Sequence, residues 1–192
     1  ASPIQSQILN DEKEIGVTIM QIEETMDTGP IVAQKKVLFS SLQAQKCTDI
    51  FLLENSSCSL QSSSQGISEL ATSRNELEKV LAIEGAQLFA HILPEWLIGA
   101  IDLIIQDESK ATYCQKIKKE DGELQIDLNN MPTGEIARKY LCKIKAFEEW
   151  PTTYFFYNGK RIIISDAVLE NHSLKISLVA GKILVYSKNY KI

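Results

Sequence analysis

The sequence predicts an α/β unit followed by a small β-barrel that carries one helix, and three observations lead there. Val17 to Ile22 and Ile31 to Phe39 are β-rich apolar runs separated by a polar loop with a Gly-Pro turn, which fits the edge of an α/β sheet. The charge changes sign along the chain. Residues 1–107 hold six Lys or Arg against fifteen Asp or Glu, whereas residues 108–192 hold fourteen basic residues against ten acidic ones. Two turn signals, Asn158-Gly159 and Ala180-Gly181, each stand between β-rich runs late in the chain. Residues 1–107 are therefore expected to form one domain and residues 108–192 another, joined at the polar stretch Glu108 to Ala111.

Each element has its own signature. Ile4, Ile8 and Leu9 recur at helical spacing and predict a short helix over 4–14, with Gly16 as the break after it. The nearly continuous apolar character of Val17 to Ile22 predicts a strand buried on both faces. Six serines among residues 56–64 have linker composition, and residues 43–66 are read as an insertion. Ser73 and Glu76 fit a capping box that opens a helix with Leu77, Val80, Leu81, Ile83, Leu88 and Phe89 on its apolar face. Pro94 is expected to start a further turn or helix through Ile105. His91 falls late in this pattern and reads as an ordinary helix residue. Thr112 to Ile117 is a short strand candidate. Pro132 to Ala146 predicts a helix capped near Thr133, with Ile136, Tyr140, Leu141 and Ile144 on one face. Two hairpins follow: Tyr154 to Tyr157 with Arg161 to Ile164, and Leu174 to Val179 with Lys182 to Tyr186.

Composition excludes several classes. With 44% hydrophobic and 23% charged residues the 192-residue chain is that of a folded globular protein rather than a disordered one. The apolar stretch Leu93 to Ile105 is broken by Pro94, Glu95 and Asp102, short of the ~20 residues of a membrane span. Cys47, Cys58, Cys114 and Cys142 are widely spaced and accompanied by only two histidines, so neither a zinc site nor a disulfide scaffold is expected, and the compartment reads as reducing. The chain opens Ala1-Ser2-Pro3 with no targeting pattern, which reads as a processed chain or a piece of a longer one.

The local candidate for chemistry is Asp27 in the loop Thr25-Met26-Asp27-Thr28-Gly29-Pro30. It follows a buried strand, where ligands collect in open α/β sheets, and a carboxylate there can act as a general base or orient one. The other reading is an ordinary turn aspartate that satisfies backbone N–H groups. The positive second half reads either as a solvated surface or as a face able to meet a polyanion.

The order of segments narrows these alternatives. The runs Ala1-Ser2-Pro3-Ile4-Gln5, Gly16-Val17-Thr18-Ile19-Met20 and Asp27-Thr28-Gly29-Pro30-Ile31 resemble the methionyl-tRNA formyltransferase family. Ala111-Thr112-Tyr113, Lys116-Ile117, Lys119-Glu120-Asp121-Gly122, Ile126-Asp127, Trp150-Pro151 and Gly159-Lys160-Arg161 are similar to that family's C-terminal domain. The resemblance implies the C-terminal part of a Rossmann-like formyltransferase domain followed by an OB-like β-barrel that grips tRNA. It also implies transfer of the formyl group of 10-formyltetrahydrofolate to the amino group of methionyl initiator tRNA, without a metal, by a monomer in bacterial cytoplasm or an organelle matrix and not in a membrane.

Of the family's Asn, His and Asp only the Asp maps here, onto Asp27, beside the substrate loop Thr28, Gly29 and Pro30. The Asn and His are expected upstream of Ala1, and neither His91 nor His172 matches, so the chain by itself is expected to be inactive. The tRNA candidates are Lys116, Lys118, Lys119, Arg138, Lys143, Lys160 and Arg161, with Lys139 and Lys145 beside them. Ile15, Thr25 and Leu128 depart from the family's usual Thr, Gly and Trp, and Thr152-Thr153 stand where Gly-Ala is usual. A sugar-amine formyltransferase and a non-catalytic tRNA-binding relic are the alternative readings.

Overall fold

The computed structural model describes residues 2–38, 73–178 and 184–185. These fall into two compact units. One is built from residues 13–38 and 77–113, the other from residues 2–12, 73–76 and 114 onward. The residues expected as a serine-rich insertion, and the turn of the second expected hairpin, lie outside the described residues.

The first unit pairs β1 (Glu14–Met20) antiparallel with β2 (Ile31–Leu38). The register runs from Glu14 opposite Leu38 to Ile19 opposite Ala33, then shifts so that Met20 faces Ile31. Helix α2 (Arg74–Leu97) opens with the expected capping box: the Glu76 N–H donates to Ser73 Oγ (3.3 Å) and the Ser73 N–H to Glu76 Oε2 (3.2 Å). Its buried residues are Leu77, Leu81 and Ile92, a stripe at helical spacing, with Gly85 close to Val17 and Glu84 paired with Lys35. Ile83 and Phe89, expected on the apolar face, are 58% and 49% exposed because the helical turn points Ile83 away from that stripe and leaves Phe89 at its flank. Pro94 does not begin a new helix. It sits in the last turn, and α2 ends where Gly99 takes φ +70, with its N–H on the Trp96 carbonyl and that of Ala100 on Glu95. That is a Schellman stop, set by the one residue type that adopts this φ freely.

The expectation that Val17 to Ile22 is buried on both faces does not hold. Ile15 is buried, whereas Val17, Ile19 and Met20 are half-buried and Ile22 is exposed. Among the described residues β1 has one strand neighbour, β2, so its side chains are not enclosed as in a central strand.

The second unit is an antiparallel meander, β3 (Thr153–Tyr157), β4 (Lys160–Glu170), β5 (Ser173–Leu178) and β6 (Leu184–Val185), with helix α3 (Gly134–Ala146) packed on it. Asn158 and Gly159 both take positive φ, +49 and +73, the two-residue geometry whose twist suits a hairpin. Asn171 and His172 repeat it between β4 and β5 (φ +50 and +59), a turn that the sequence reading missed because it lacks glycine. A register shift between Ile164 and Asp166 lets β4 change which side chains point inward, so that Ile164 and Ala167 are both buried. Ala137, Leu141 and Ile144 of α3 meet Phe155, Ile164, Ala167, Leu174 and Ile176 in one core, where each large side chain contributes about 1.5–3 kcal/mol by leaving water. Ile136, expected on that face, is 59% exposed: the stripe is centred on Ala137 and leaves its predecessor outside. Thr133 holds the N-cap position without a side-chain hydrogen bond, and the Gly134 N–H is satisfied by the His172 carbonyl. Thr112 to Ile117 forms no strand.

Helix α1 (Pro3–Leu9), placed with the first domain on sequence grounds, groups with the second unit because it packs on α3. Gln5 Nε2 donates to the Trp150 carbonyl (3.0 Å). Arg138 holds Asp11 through two charged hydrogen bonds, Nε to Oδ2 at 3.1 Å and Nη2 to Oδ1 at 2.7 Å. Cys142 lies against Asp11 (Sγ to Oδ1, 3.7 Å); burial first, and the neighbouring carboxylate second, push its thiol up to about 11.

Two consequences are measurable. Thr152 takes φ +64, a costly backbone for a β-branched residue, so Thr152→Gly is expected to stabilise the chain by about 0.5–1 kcal/mol. A higher urea midpoint at unchanged slope is the expected result; a lower midpoint contradicts it. The folded chain keeps the Cys142 proton that the unfolded chain releases near the thiol's ordinary value of 9.0. Stability from this group is therefore complete below pH 9.0 and is lost as pH rises toward about 11. Denaturation of the chain and of Cys142→Ala at several pH values across that window is expected to show a gap that narrows with pH.

Candidate functional site

The loop that carries Asp27 is closed at its base by the Gln21 N–H on the Pro30 carbonyl (3.0 Å). Directly beyond that closure Ile31 and Ile104 exchange two backbone hydrogen bonds (2.8 and 3.0 Å), which bring residues 104–106 alongside the loop. Gln106 then reaches into it. Its Nε2 donates to the Gly29 carbonyl at 2.6 Å and the Asp27 carbonyl at 3.0 Å, and touches Met20 Sδ at 3.8 Å. A side-chain amide carries two N–H donors in one plane, so holding two carbonyls of one loop fixes that loop's shape.

Gly29 is required by space. A β-carbon there would lie 1.9 Å from the Gln21 carbonyl oxygen, which no side chain tolerates. Thr25 and Thr28 join across the loop through their hydroxyls, and Thr28 Oγ1 also meets the Thr25 carbonyl (3.3 Å). Asp27 sits between them at φ +60, a backbone that Asp adopts more readily than most residues, and its side chain is exposed. Thr28, Gly29 and Pro30, the expected substrate loop, are half-buried or buried, so the loop offers its carboxylate outward from a pinned backbone. Gln106, the residue that pins it, went unremarked in the sequence. A glutamine seventy-seven residues downstream of the glycine it holds leaves no local pattern.

Beside this loop the same unit has a cleft of about 540 Å³ lined by Ile19, Met20, Gln21, Ile22, Val32, Phe89, Ile92 and Trp96. Among the described residues no cluster of His, Cys, Asp and Glu has the makings of a metal site, and no helix is long and apolar enough to cross a membrane.

In the second unit the expected tRNA residues divide by surroundings. Lys116, Lys118, Lys119, Lys160 and Arg161 are exposed. Lys118 and Lys119 frame a short turn in which the Lys118 N–H is held by Asp121 Oδ2 (2.7 Å). That turn is pressed on the chain after Trp150: a β-carbon on Gly122 would lie 2.2 Å from the Thr152 carbonyl oxygen. Lys143 is half-buried and donates to the Glu123 carbonyl (3.0 Å); burial pulls its ammonium below its usual range, against Asp121 and Glu123, which raise it. Arg138 is engaged with Asp11, and Lys145 with Asp166 (2.6 Å). Arg161 lies over the Tyr154 ring, its guanidinium carbon 3.7 Å from the centroid.

Residues 1–83 match the family described as Formyl transferase, and residues 116–192 match that described as Formyl transferase, C-terminal domain. Among curated proteins, the methionyl-tRNA formyltransferase of Dictyoglomus turgidum is 32% identical over 188 residues, covering 98% of this chain and 48% of that protein. The methionyl-tRNA formyltransferase of Wigglesworthia glossinidia brevipalpis is 30% identical over 184 residues, 96% of this chain and 46% of that one. The chain spans about half the length of the curated relatives it matches. Among solved structures, an N-formyltransferase from Helicobacter canadensis, in complex with folinic acid and dTDP-3-aminofucose, superposes with a TM-score of 0.57 at 16% identity, over 94% of this chain and 58% of that one. Methionyl-tRNA formyltransferase from Clostridium thermocellum gives 0.52 at 17% identity, over 94% and 63%. These likenesses establish a shared fold.

The pinned loop has a direct test. Gly29→Ala is expected to destabilise the chain by about 1–3 kcal/mol through overpacking against the Gln21 carbonyl. Gln106→Leu is expected to cost about 1–2 kcal/mol through the two released carbonyls. Urea denaturation measures both; a neutral Gly29→Ala contradicts the close approach.

Proposed function

Because the chain belongs to the formyl transferase family, we propose that it serves transfer of the formyl group of 10-formyltetrahydrofolate to the amino group of methionyl initiator tRNA. The observation that carries this reading is similarity to methionyl-tRNA formyltransferases along nearly the whole chain, at 32% identity over 188 residues. The N-formyltransferase from Helicobacter canadensis, whose structure holds dTDP-3-aminofucose, is alike in fold alone, at 16% identity.

In the reaction the amine attacks the formyl carbon, a new C–N bond forms, the bond to the folate nitrogen breaks, and the amine's proton passes to the departing nitrogen. Asp27 is the residue of this chain proposed to assist. An exposed carboxylate on a backbone held by Gln106 and Gly29 can orient a neighbouring imidazole or receive the proton in transit. Thr28, Gly29 and Pro30 shape its approach. The second unit is proposed to be an OB-like barrel that grips the tRNA, with Lys116, Lys118, Lys119, Lys160 and Arg161 meeting phosphates. Lys143 is a weaker candidate because it faces Glu123, and Arg138 serves α1 instead. The domains are proposed to meet near residues 107–108, and the protein to work as a monomer in bacterial cytoplasm or an organelle matrix.

Two measurements test this. Initiator methionyl-tRNA is expected to bind the chain with an affinity that falls as salt rises and that is insensitive to an amino-sugar nucleotide. Competition by the sugar nucleotide transfers the reading to a sugar-amine formyltransferase. Asp27→Asn, in the protein as its source makes it, is expected to lower formyl transfer by about 10²-fold or more while tRNA binding persists. Binding without transfer in the unaltered native protein favours the non-catalytic relic.

A further inference from the structure

On the outer face of the β3–β4 hairpin, exposed apolar side chains stand where solubility alone would choose polar ones. Phe156 is 55% exposed and Ile163 39% exposed, while the inward-facing Phe155 and Ile164 fill the core. Phe156 stands directly opposite Arg161, and Tyr154 opposite Ile163. The Phe156 ring meets the Tyr154 ring edge-on, with centroids 5.8 Å apart and an interplanar angle of 89°. The Arg161 guanidinium carbon lies over the Tyr154 ring, 3.7 Å from its centroid. The hairpin segment from residue 153 to 164 contains Lys160 and Arg161 and no acidic residue, and neither cation forms an ion pair with a described residue.

Two exposed π-surfaces, one ring and one guanidinium, are therefore held side by side by cross-strand pairing, with a second cation at the turn. A guanidinium stacked on an aromatic ring keeps its other face open and its charge in place. Such a surface suits a flat, uncharged ring attached to a phosphate. We infer that Phe156 and the Arg161–Tyr154 stack form a platform on which an unpaired nucleobase of the bound tRNA stacks, while Lys160, which the register places on the opposite face of the hairpin beside the turn, meets backbone phosphates that pass there. The inference rests on the proposed tRNA substrate and deepens it: the hairpin reads an unstacked base by its face, whereas the lysines around residues 116–119 follow the backbone. Paired bases are closed to such contact because their faces are covered by neighbours.

The full chain is titrated with initiator tRNA at several salt concentrations. Phe156→Ala is expected to weaken binding five- to 150-fold, the value of one base–aromatic stack, with the salt slope unchanged. Phe156→Tyr is expected to restore it. Lys160→Ala is expected to weaken binding modestly and reduce the salt slope by about one. A single-stranded RNA oligomer carrying 2-aminopurine is expected to lose fluorescence on the unaltered chain and not on Phe156→Ala. Phe156 is exposed, and an unchanged urea midpoint confirms that the variant folds. If Phe156→Ala binds tRNA as tightly as the unaltered chain while Lys160→Ala is weakened, the platform is overturned and tRNA binding stands. If the unaltered chain binds no tRNA, the function proposed above fails with it. Self-association that Phe156→Ala abolishes, without any change in tRNA affinity, assigns the face to a second copy and overturns the inference.

Discussion

At three glycines among the described residues, Gly16, Gly29 and Gly122, a carbonyl oxygen occupies the space that a β-carbon would need, and the candidate surfaces are built around the contacts at Gly29 and Gly122. In the first unit the Gln21 carbonyl lies where any side chain at residue 29 would go; in the second the Thr152 carbonyl does the same at residue 122. A contact this close admits only glycine, and it lets two stretches of backbone lie on each other with no side chain between them. The Asp27 loop owes its narrow base to the first. The second seats the turn bearing Lys118 and Lys119 against the start of β3, where the Leu124 N–H reaches the Tyr154 carbonyl at 2.8 Å.

What hangs on these contacts is held by polar groups, not by apolar burial. The Asp27 loop has an exposed methionine and an exposed carboxylate, and its shape comes from Gln106 and from the paired threonine hydroxyls. A loop stabilised in this way can present a charged group to solvent without exposing a core. The second unit is the reverse case. Its α3 stripe and the inner faces of β3, β4 and β5 make a conventional apolar core, and that core leaves the outer faces free to carry charge and aromatic rings.

Helix α1 shows how a few polar contacts decide where a segment belongs. Its buried residues are Gln5 and Ile8, one polar and one apolar. The paired hydrogen bonds between Arg138 and Asp11, and that from Gln5 to the Trp150 carbonyl, accompany its packing on α3. Asp11 takes φ +52 directly after the helix, which turns its carboxylate back to that guanidinium. An arginine counted among phosphate contacts on charge alone is thereby a fastening between α3 and the turn that follows α1.

Local chemistry was legible in the sequence wherever the deciding atoms are neighbours in the chain. The Ser73–Glu76 capping box, the Asn158-Gly159 hairpin, the helix over residues 134–146 and the glycine of the Asp27 loop all follow from residue types at short spacing. The family resemblance was legible too, because its motifs stand in order along the chain. Tertiary structure alone decided the rest. It exposed Ile83, Phe89 and Ile136, brought Gln106 to Asp27, tied Arg138 to Asp11 and laid Arg161 on Tyr154. Each of these depends on which of several equivalent faces or partners is nearest in space. Periodicity marks that a helix has an apolar side, but the neighbour against which it packs chooses the line of contact. Charge marks that an arginine is positive, but only its surroundings determine whether it meets a carboxylate, a ring or a phosphate.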